Sequence, residues 1–203
     1  MSSHLQYFIW GCIGFLSGSI PYSYLLGKWL FHSDIRQVGD GNPGATNLFR
    51  AGGKWSGALA LVLDVFKAAI PVGWVHFFVH PPFVWMLLIS LSPVLGHMFS
   101  PLLKGRGGKA IASTFGMWIG LTLGEIPIIL GLFMAVGIYF LQPHAWVVLF
   151  SQLGVFTYLV LYHPNPLLLS VWALNTLFLI GKHASELKTA PQIRTVFKKR
   201  KNG

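Results

Sequence analysis

The sequence predicts an all-α integral membrane protein, a bundle of seven transmembrane helices with its N-terminus outside and its C-terminus in the cytoplasm. Three observations predict it. Of 203 residues, 54% are hydrophobic and 10% are charged, and the mean hydropathy is +0.62. Soluble domains carry about 25% charged residues, so a soluble globule of this length would lack the polar surface it needs. Apolar runs near the ~20 residues that cross a bilayer recur along the chain. Lysine and arginine gather in alternate connections, which is the asymmetry that fixes orientation.

Segment one runs from about Leu5 to Phe31, with Trp10 and Trp29 near its ends as interface anchors. Inside it, Gly18-Ser19-Ile20-Pro21 predicts a kink, because proline interrupts the helix and neighbouring groups must satisfy the freed carbonyl. Segment two, about Trp55 to Val79, carries Asp64 and Lys67 on one helical face. Charges inside a membrane are costly and usually paired, so these two read as a structural ion pair in the cytoplasmic third. Segment three covers about Phe83 to Phe99. Segments four (about Ala110 to Leu123) and five (about Ile126 to Leu141) are short, and read as partial helices or as helices packed inside the bundle. Gly116, Gly120 and Gly124 form a small-residue stripe that permits close helix contact. Segments six (about Ala145 to Leu161) and seven (about Leu167 to Ile180) complete a single membrane domain over residues 1–186. Residues 187–203 form a basic cytoplasmic tail with Arg194, Lys198, Lys199, Arg200 and Lys201.

The formal net charge is +10, but the cations sit between apolar segments and in the tail. That placement fits the positive-inside rule and attraction to anionic membrane lipids, and it excludes nucleic acid as the partner. Arg36, Arg50 and Lys54 follow segment one, Lys104, Arg106 and Lys109 follow segment three, and the tail follows segment seven, whereas the connections after segments two, four and six have no Lys or Arg. Seven crossings put all the basic connections on one face, where they can meet a common anion. A single cysteine, Cys12, excludes an intrachain disulfide. The eight histidines are scattered, so no metal site and no cofactor is expected. The first apolar run lacks a basic n-region and a small-residue cleavage site, so it reads as a helix rather than a signal peptide.

Two polar stretches carry candidate chemistry. The first, Ile35 to Arg50, holds Gly39, Gly41 and Gly44 with Asn42, Thr46, Asn47, Arg36 and Arg50. Glycines let backbone N–H groups turn inward as an anion-binding nest, and an arginine fork suits phosphate. The spacing Gly-x-Gly-x-x-Gly also matches a dinucleotide fingerprint, but no strand precedes it and no βαβ unit follows. A plain connecting loop is the simpler alternative; the asparagines, threonine and arginines favour a phosphate-holding loop. The second stretch, Gly96-His97-Met98-Phe99-Ser100 followed by Lys104-Gly-Arg106-Gly107-Gly108-Lys109, interleaves cations with glycines before segment four. That arrangement would aim N–H groups and a helix N-terminus at an anion. Headgroup anchoring would explain the cations, but not the glycines. A lone His97 reads first as a structural hydrogen-bonding group.

These residues resemble the bacterial acyl-phosphate:glycerol-3-phosphate acyltransferase family, the PlsY type. The matching stretches are GSIPYSYLLGK at 18–28, DIRQVGDGNPGATNLFR at 34–50, LDVFK at 63–67 and GHMFSPLLKGRGGKA at 96–110. The resemblance implies a seven-helix, multi-pass enzyme of the bacterial inner membrane with its active site on the cytoplasmic face. It would move an acyl chain from acyl phosphate to the 1-hydroxyl of glycerol 3-phosphate, releasing lysophosphatidic acid and phosphate, without metal or cofactor. By motif position, Gly39, Gly41, Asn42, Gly44, Thr46, Asn47, Arg50, Lys104, Arg106, Gly107 and Gly108 would bind substrate, and His97, Lys109 and His183 would be catalytic; Asp40, as a catalytic candidate, and Glu186, as a substrate-binding one, stand at motif positions where the residue differs from the family's.

The chain departs from the family pattern at several positions. Asp40 stands where the family has serine, Arg106 where it has lysine, Ala110 where it has glycine and Glu186 where it has asparagine. Gln142-Pro143-His144 replaces an Arg- and Ser-rich segment. Two carboxylates facing phosphate would repel substrate, by about 1 kcal/mol at 4 Å in water and about 4 at an effective dielectric of 20. Alternatively, Asp40 is a general base, or it recognises a less anionic acceptor. These departures support a second reading: a divergent non-catalytic or altered-acceptor member, acting as a lipid-binding protein or as a subunit of a complex with another membrane protein. A transporter would need paired broken helices meeting at the midplane, whereas the polar residues here gather at one face.

Overall fold

The structure, a computed structural model, describes residues 3–194. The chain divides into two compact units, residues 1–124 and 125–203.

In the first unit, segment one is two helices rather than one. Helix α1 (Ser3–Ser19) stops before Ile20-Pro21, and α2 (Tyr22–Phe31) begins after it. The expected kink is thus a full break, because Pro21 has no N–H to continue the ladder. A single 3₁₀ turn at Ile35–Gln37 follows, capped by the Asp34 side chain on the Arg36 N–H. Helix α3 (Ala45–Trp74) starts ten residues before the expected Trp55 and bends at Gly53, whose φ is 84°. Its first turns, expected as loop, are helical because Leu48 is fully buried in a small core with Ile35 and Ala60. Turn-forming residues bias the chain locally, but burial of an apolar face decides the outcome. A π-helical turn, Val75–Val79, finishes this segment.

Helix α4 (Phe83–Met98) lies along α1 at glycine contacts: Gly14 and Gly18 face Ser92 and Pro93, and Gly96 faces the Phe15 carbonyl. A 3₁₀ turn at Pro101–Leu103 leads to α5 (Ile111–Thr122). Gly116 meets the Val65 carbonyl and Gly120 meets Val72 and Gly73, so α5 approaches α3 backbone to backbone. Gly124 does not continue the stripe: it lies past the helix end at φ 139°, with no neighbour where a side chain would point.

In the second unit, α6 (Glu125–Phe140), α7 (His144–Tyr162) and α8 (Pro166–Leu187) follow in order. Gly154 faces Phe133 across the α6–α7 contact, and Trp172 Nε1 donates to the Gln152 carbonyl at 2.8 Å across α7–α8. Helix α8 starts at Asn165-Pro166, where the Asn165 side chain accepts from the N–H groups of Leu167 and Leu168. Two-residue strands at Leu141–Gln142 and Gln192–Ile193 pair antiparallel, so the start of the expected tail is partly ordered. Lys198, Lys199, Arg200 and Lys201 lie outside the described residues.

Among the described residues, four helical stretches are long and apolar enough to cross a membrane: Ala45–Val79, Phe83–Leu103, His144–Tyr162 and Pro166–Leu187. Helices α5 and α6 are shorter apolar helices, as their lengths in the sequence led us to expect. The protein is a membrane-embedded chain, helical among the described residues apart from that one pair of two-residue strands.

Candidate functional site

A buried polar knot underlies the first unit. Where α1 ends, carbonyl groups lose their helical partners. Lys67 Nζ donates to the Ile20 carbonyl at 2.7 Å, and Ser100 Oγ donates to the Ser19 carbonyl at 2.5 Å. The same Lys67 pairs with Asp64 at 2.7 Å, with side chains only 1% and 2% exposed. Asp64 also accepts from Ser23 Oγ at 2.9 Å. The predicted ion pair therefore does a second job, which is to satisfy the carbonyl freed beside Pro21. Ser100 lies in the second polar stretch, but neither it nor Ser23 was expected to bond here; the usable signal was the proline break, which calls for donors nearby.

His97, 8% exposed, joins this knot to the second loop. Its Nδ1 lies 3.9 Å from Asp64 Oδ1. On its other side, Gly108 sits against Nε2, where a Cβ would collide with the ring. The loop is held by main-chain bonds from Gly107 N–H to the Met98 carbonyl (3.2 Å) and from Gly108 N–H to the His97 carbonyl (3.1 Å). The glycines were expected to aim these N–H groups at an anion. Instead, the groups are spent on backbone carbonyls, and the missing side chains let the loop lie flat on His97. In the first loop, Gly41 N–H likewise donates to the Val38 carbonyl at 3.1 Å. The glycine-nest expectation is corrected for these three residues: their N–H groups serve the loops' own main chain.

The side chains of the two loops form one polar network. Lys109 Nζ meets Asp40 Oδ2 at 2.6 Å. Asp40 Oδ1 accepts from Asn47 Nδ2 at 2.9 Å and from the Asn42 N–H at 3.2 Å. Asn47 also donates to the Asn42 carbonyl at 2.9 Å, and its Oδ1 accepts from Arg50 at 3.1 Å. Lys109 and Arg50, 59 positions apart in the numbering, thus belong to one network through Asp40 and Asn47. Gly39, at φ 61°, makes this possible, because a Cβ there would strike both Arg50 and Asn47. Gly44 opens α3 and lies against the Asn42 side chain. Thr46, Lys104 and Arg106 are exposed beside these loops. Arg36 is engaged elsewhere: it forks onto Asp34 and lies over the Tyr24 ring.

Asp40 is not a bare repulsive charge. Burial alone would push its carboxyl up, but the Lys109 hydrogen bond and charge, with Asn42 and Asn47, hold it below the usual carboxylate value. In the second unit, His183 is buried with Nδ1 2.9 Å from the Leu179 carbonyl, and Glu186 lies one turn on. Helices α1 and α4 also leave an apolar groove of about 390 Å³, lined by Phe8, Cys12, Leu16, Trp85 and Leu88, with Ser92 as its polar member.

Comparison with known proteins gives this arrangement a context. Residues 8–191 match the family described as glycerol-3-phosphate acyltransferase. Glycerol-3-phosphate acyltransferase 1 of Thermotoga maritima is 44% identical over 128 residues, 58% of this chain and 59% of that protein. This chain therefore spans about three-fifths of that relative's length. The glycerol-3-phosphate acyltransferase of Lactiplantibacillus plantarum is 32% identical over 176 residues, covering 86% of this chain and 84% of its own. Among solved structures, the glycerol 3-phosphate form of PlsY, an integral membrane glycerol 3-phosphate acyltransferase, superposes with a TM-score of 0.80 at 25% identity, covering 90% of each chain. Its lysophosphatidic acid form gives a TM-score of 0.79 at 24% identity and supports the fold. On the family match and these relatives together, the chain belongs to the glycerol-3-phosphate acyltransferase family.

Proposed function

We propose that the protein transfers an acyl chain from acyl phosphate to glycerol 3-phosphate in the bacterial inner membrane, as a step of phospholipid synthesis. The observation that carries this reading is the meeting of Lys109 and Arg50 in one solvent-reachable network, in a chain of this family. The PlsY neighbour's glycerol 3-phosphate form supports that acceptor. The chain would cross the membrane seven times with its N-terminus outside, which brings the basic connections to the cytoplasmic face.

Acyl phosphate is a mixed anhydride, so the donor is already activated. The acceptor's 1-hydroxyl oxygen attacks the acyl carbon, the bond from that carbon to the phosphate oxygen breaks, and phosphate leaves with the electron pair. The hydroxyl proton ends on the leaving phosphate. What the protein must add is position and charge neutralisation. We assign Arg50 and Lys109 to the phosphates, with Arg50 held by Asn47 and Lys109 carried on the loop that lies on His97. Asn42, Thr46, Lys104 and Arg106 would line the same mouth, and the groove between α1 and α4 would hold the donor's tail. The roles the family resemblance gives to His97, His183 and Glu186 belong to the same proposal, and substitution of each tests them.

The test uses purified protein in lipid, acyl phosphate and glycerol 3-phosphate, and follows phosphate release. Release is expected from the wild type, with Arg50→Ala and Lys109→Met each lowering kcat/KM at least tenfold. Folded protein that releases no phosphate removes the proposal. The pairing of Asp40 with Lys109 favours two alternatives, an altered acceptor or a non-catalytic lipid-binding role. Turnover with glycerol, but not with glycerol 3-phosphate, would select the first of these.

A further inference from the structure

Asp40 holds the contacts a phosphate would use. One carboxylate oxygen takes the Lys109 ammonium at 2.6 Å; the other accepts from the Asn47 amide at 2.9 Å and the Asn42 main-chain N–H at 3.2 Å. A cation, a side-chain amide and a backbone N–H converging on one anion is how proteins bind phosphate oxygens. The neighbours on either side, Gly39 and Gly41, have φ of 61° and 73°, so the chain turns sharply enough to lay the carboxylate over these donors. The Asp40 side chain is 47% exposed and that of Lys109 is 23% exposed, so an arriving anion can reach the pair from water. Exposed ion pairs contribute little to stability, and fastening the two loops is a poor account of this one.

We propose that Asp40 is a resident anion in the acceptor-phosphate seat, a specificity-determining residue that a phosphate must displace from Lys109 in order to bind. This rests on the reading above that gives Lys109 to a substrate phosphate, here taken as the acceptor's. A phosphate that enters leaves the carboxylate beside it as a like charge. A charge pair at about 4 Å changes affinity from several-fold in water to roughly a thousandfold at an effective dielectric of 20, and a seat half open to solvent lies towards the lower end. The seat therefore grips phosphates loosely. It demands the additional contacts of a full substrate, and it releases inorganic phosphate readily.

The experiment uses the full chain in lipid nanodiscs. Calorimetric binding of inorganic phosphate and of glycerol 3-phosphate is measured for the wild type, Asp40→Asn, Asp40→Ala, Lys109→Met and the Asp40→Asn/Lys109→Met double variant. Removing the charge is expected to tighten phosphate binding about tenfold and to lower the KM for glycerol 3-phosphate in parallel. In the Lys109→Met background the gain should vanish. Equal or weaker phosphate binding by a folded Asp40 variant overturns the proposal, as does loss of folding in both Asp40 variants, which would make the pair a fastening. Tighter phosphate binding without turnover by any variant would remove the acyltransferase reading and leave the anion seat standing. Wild-type turnover with no gain at Asp40 would do the reverse.

Discussion

Lys67→Met should be among the most damaging single changes in the first unit. Lys67 and Asp64 form an ion pair at 2.7 Å with side chains 1% and 2% exposed, and Lys67 also satisfies the Ile20 carbonyl at 2.7 Å. Removing the ammonium leaves a buried carboxylate with Ser23 Oγ at 2.9 Å and the His97 ring 3.9 Å away, and it orphans the carbonyl at the helix break. Breaking a buried pair from one side costs about 3–5 kcal/mol, and an unsatisfied buried carbonyl adds about 1–3. In a chain of this length each kcal/mol lowers Tm by about 2–4 °C, so a fall of roughly 6–20 °C is expected from the pair alone. The companion Asp64→Asn should also destabilise, because it strands the ammonium. The double variant Asp64→Asn/Lys67→Met should recover much of the loss, since the uncompensated charge is gone and only the Ile20 contact stays missing. Thermal unfolding of the four proteins in one detergent measures the coupling. If Lys67→Met costs under about 1 kcal/mol, or the double variant is only as stable as the sum of its parts, the pair is not what holds the broken segment to α3.

Ala110 sits at φ 61°, a left-handed conformation costly for any residue with a Cβ. Ala110→Gly should therefore stabilise the protein by about 1 kcal/mol, read as a rise in Tm; no rise would mean the loop relaxes around alanine. Gly116→Val should destabilise severely, because a side chain there strikes the Val65 carbonyl of α3; a variant that unfolds like the wild type would refute the close α3–α5 contact. The Asp40–Lys109 pair has a definite pH signature. The Asp40 carboxyl is held below its usual value of 3.8, so its contribution to stability is present above that value and is lost as pH falls through the lower folded value. Because the pair is open to solvent, the stability gap between wild type and Asp40→Asn should be small, constant near neutral pH, and close only in acid. A gap that closes near pH 6 would point to a histidine instead.

Much of the architecture was legible because membrane helices write themselves in hydropathy. The apolar segments, the shortness of α5 and α6 and the pairing of Asp64 with Lys67 needed only composition, length and helical spacing. So did the close contact at Gly116 and Gly120. The helical start of α3 was not legible: Asn42, Gly44 and Asn47 signal a turn, and only burial of Leu48 against Ile35 makes the following residues helical. Nor could glycine spacing distinguish a nest of N–H groups from a loop pressed flat against His97, because both demand the same absent Cβ.

By itself, the sequence determined a membrane-embedded helical chain, its family and the polar residue types that its two glycine-rich loops carry. Local spacing and transfer energy control those properties, and both can be read along the chain. The tertiary structure alone decided what each charge faces. Lys109 meets a carboxylate 69 positions away, and Lys67 closes a carbonyl 47 positions away. Such partners are chosen by how helices pack in space, and a one-dimensional order of residues does not encode that distance. Asp40 is the plainest instance: in the sequence it is a charge that repels substrate, and in the fold it already sits on the lysine that a phosphate would seek.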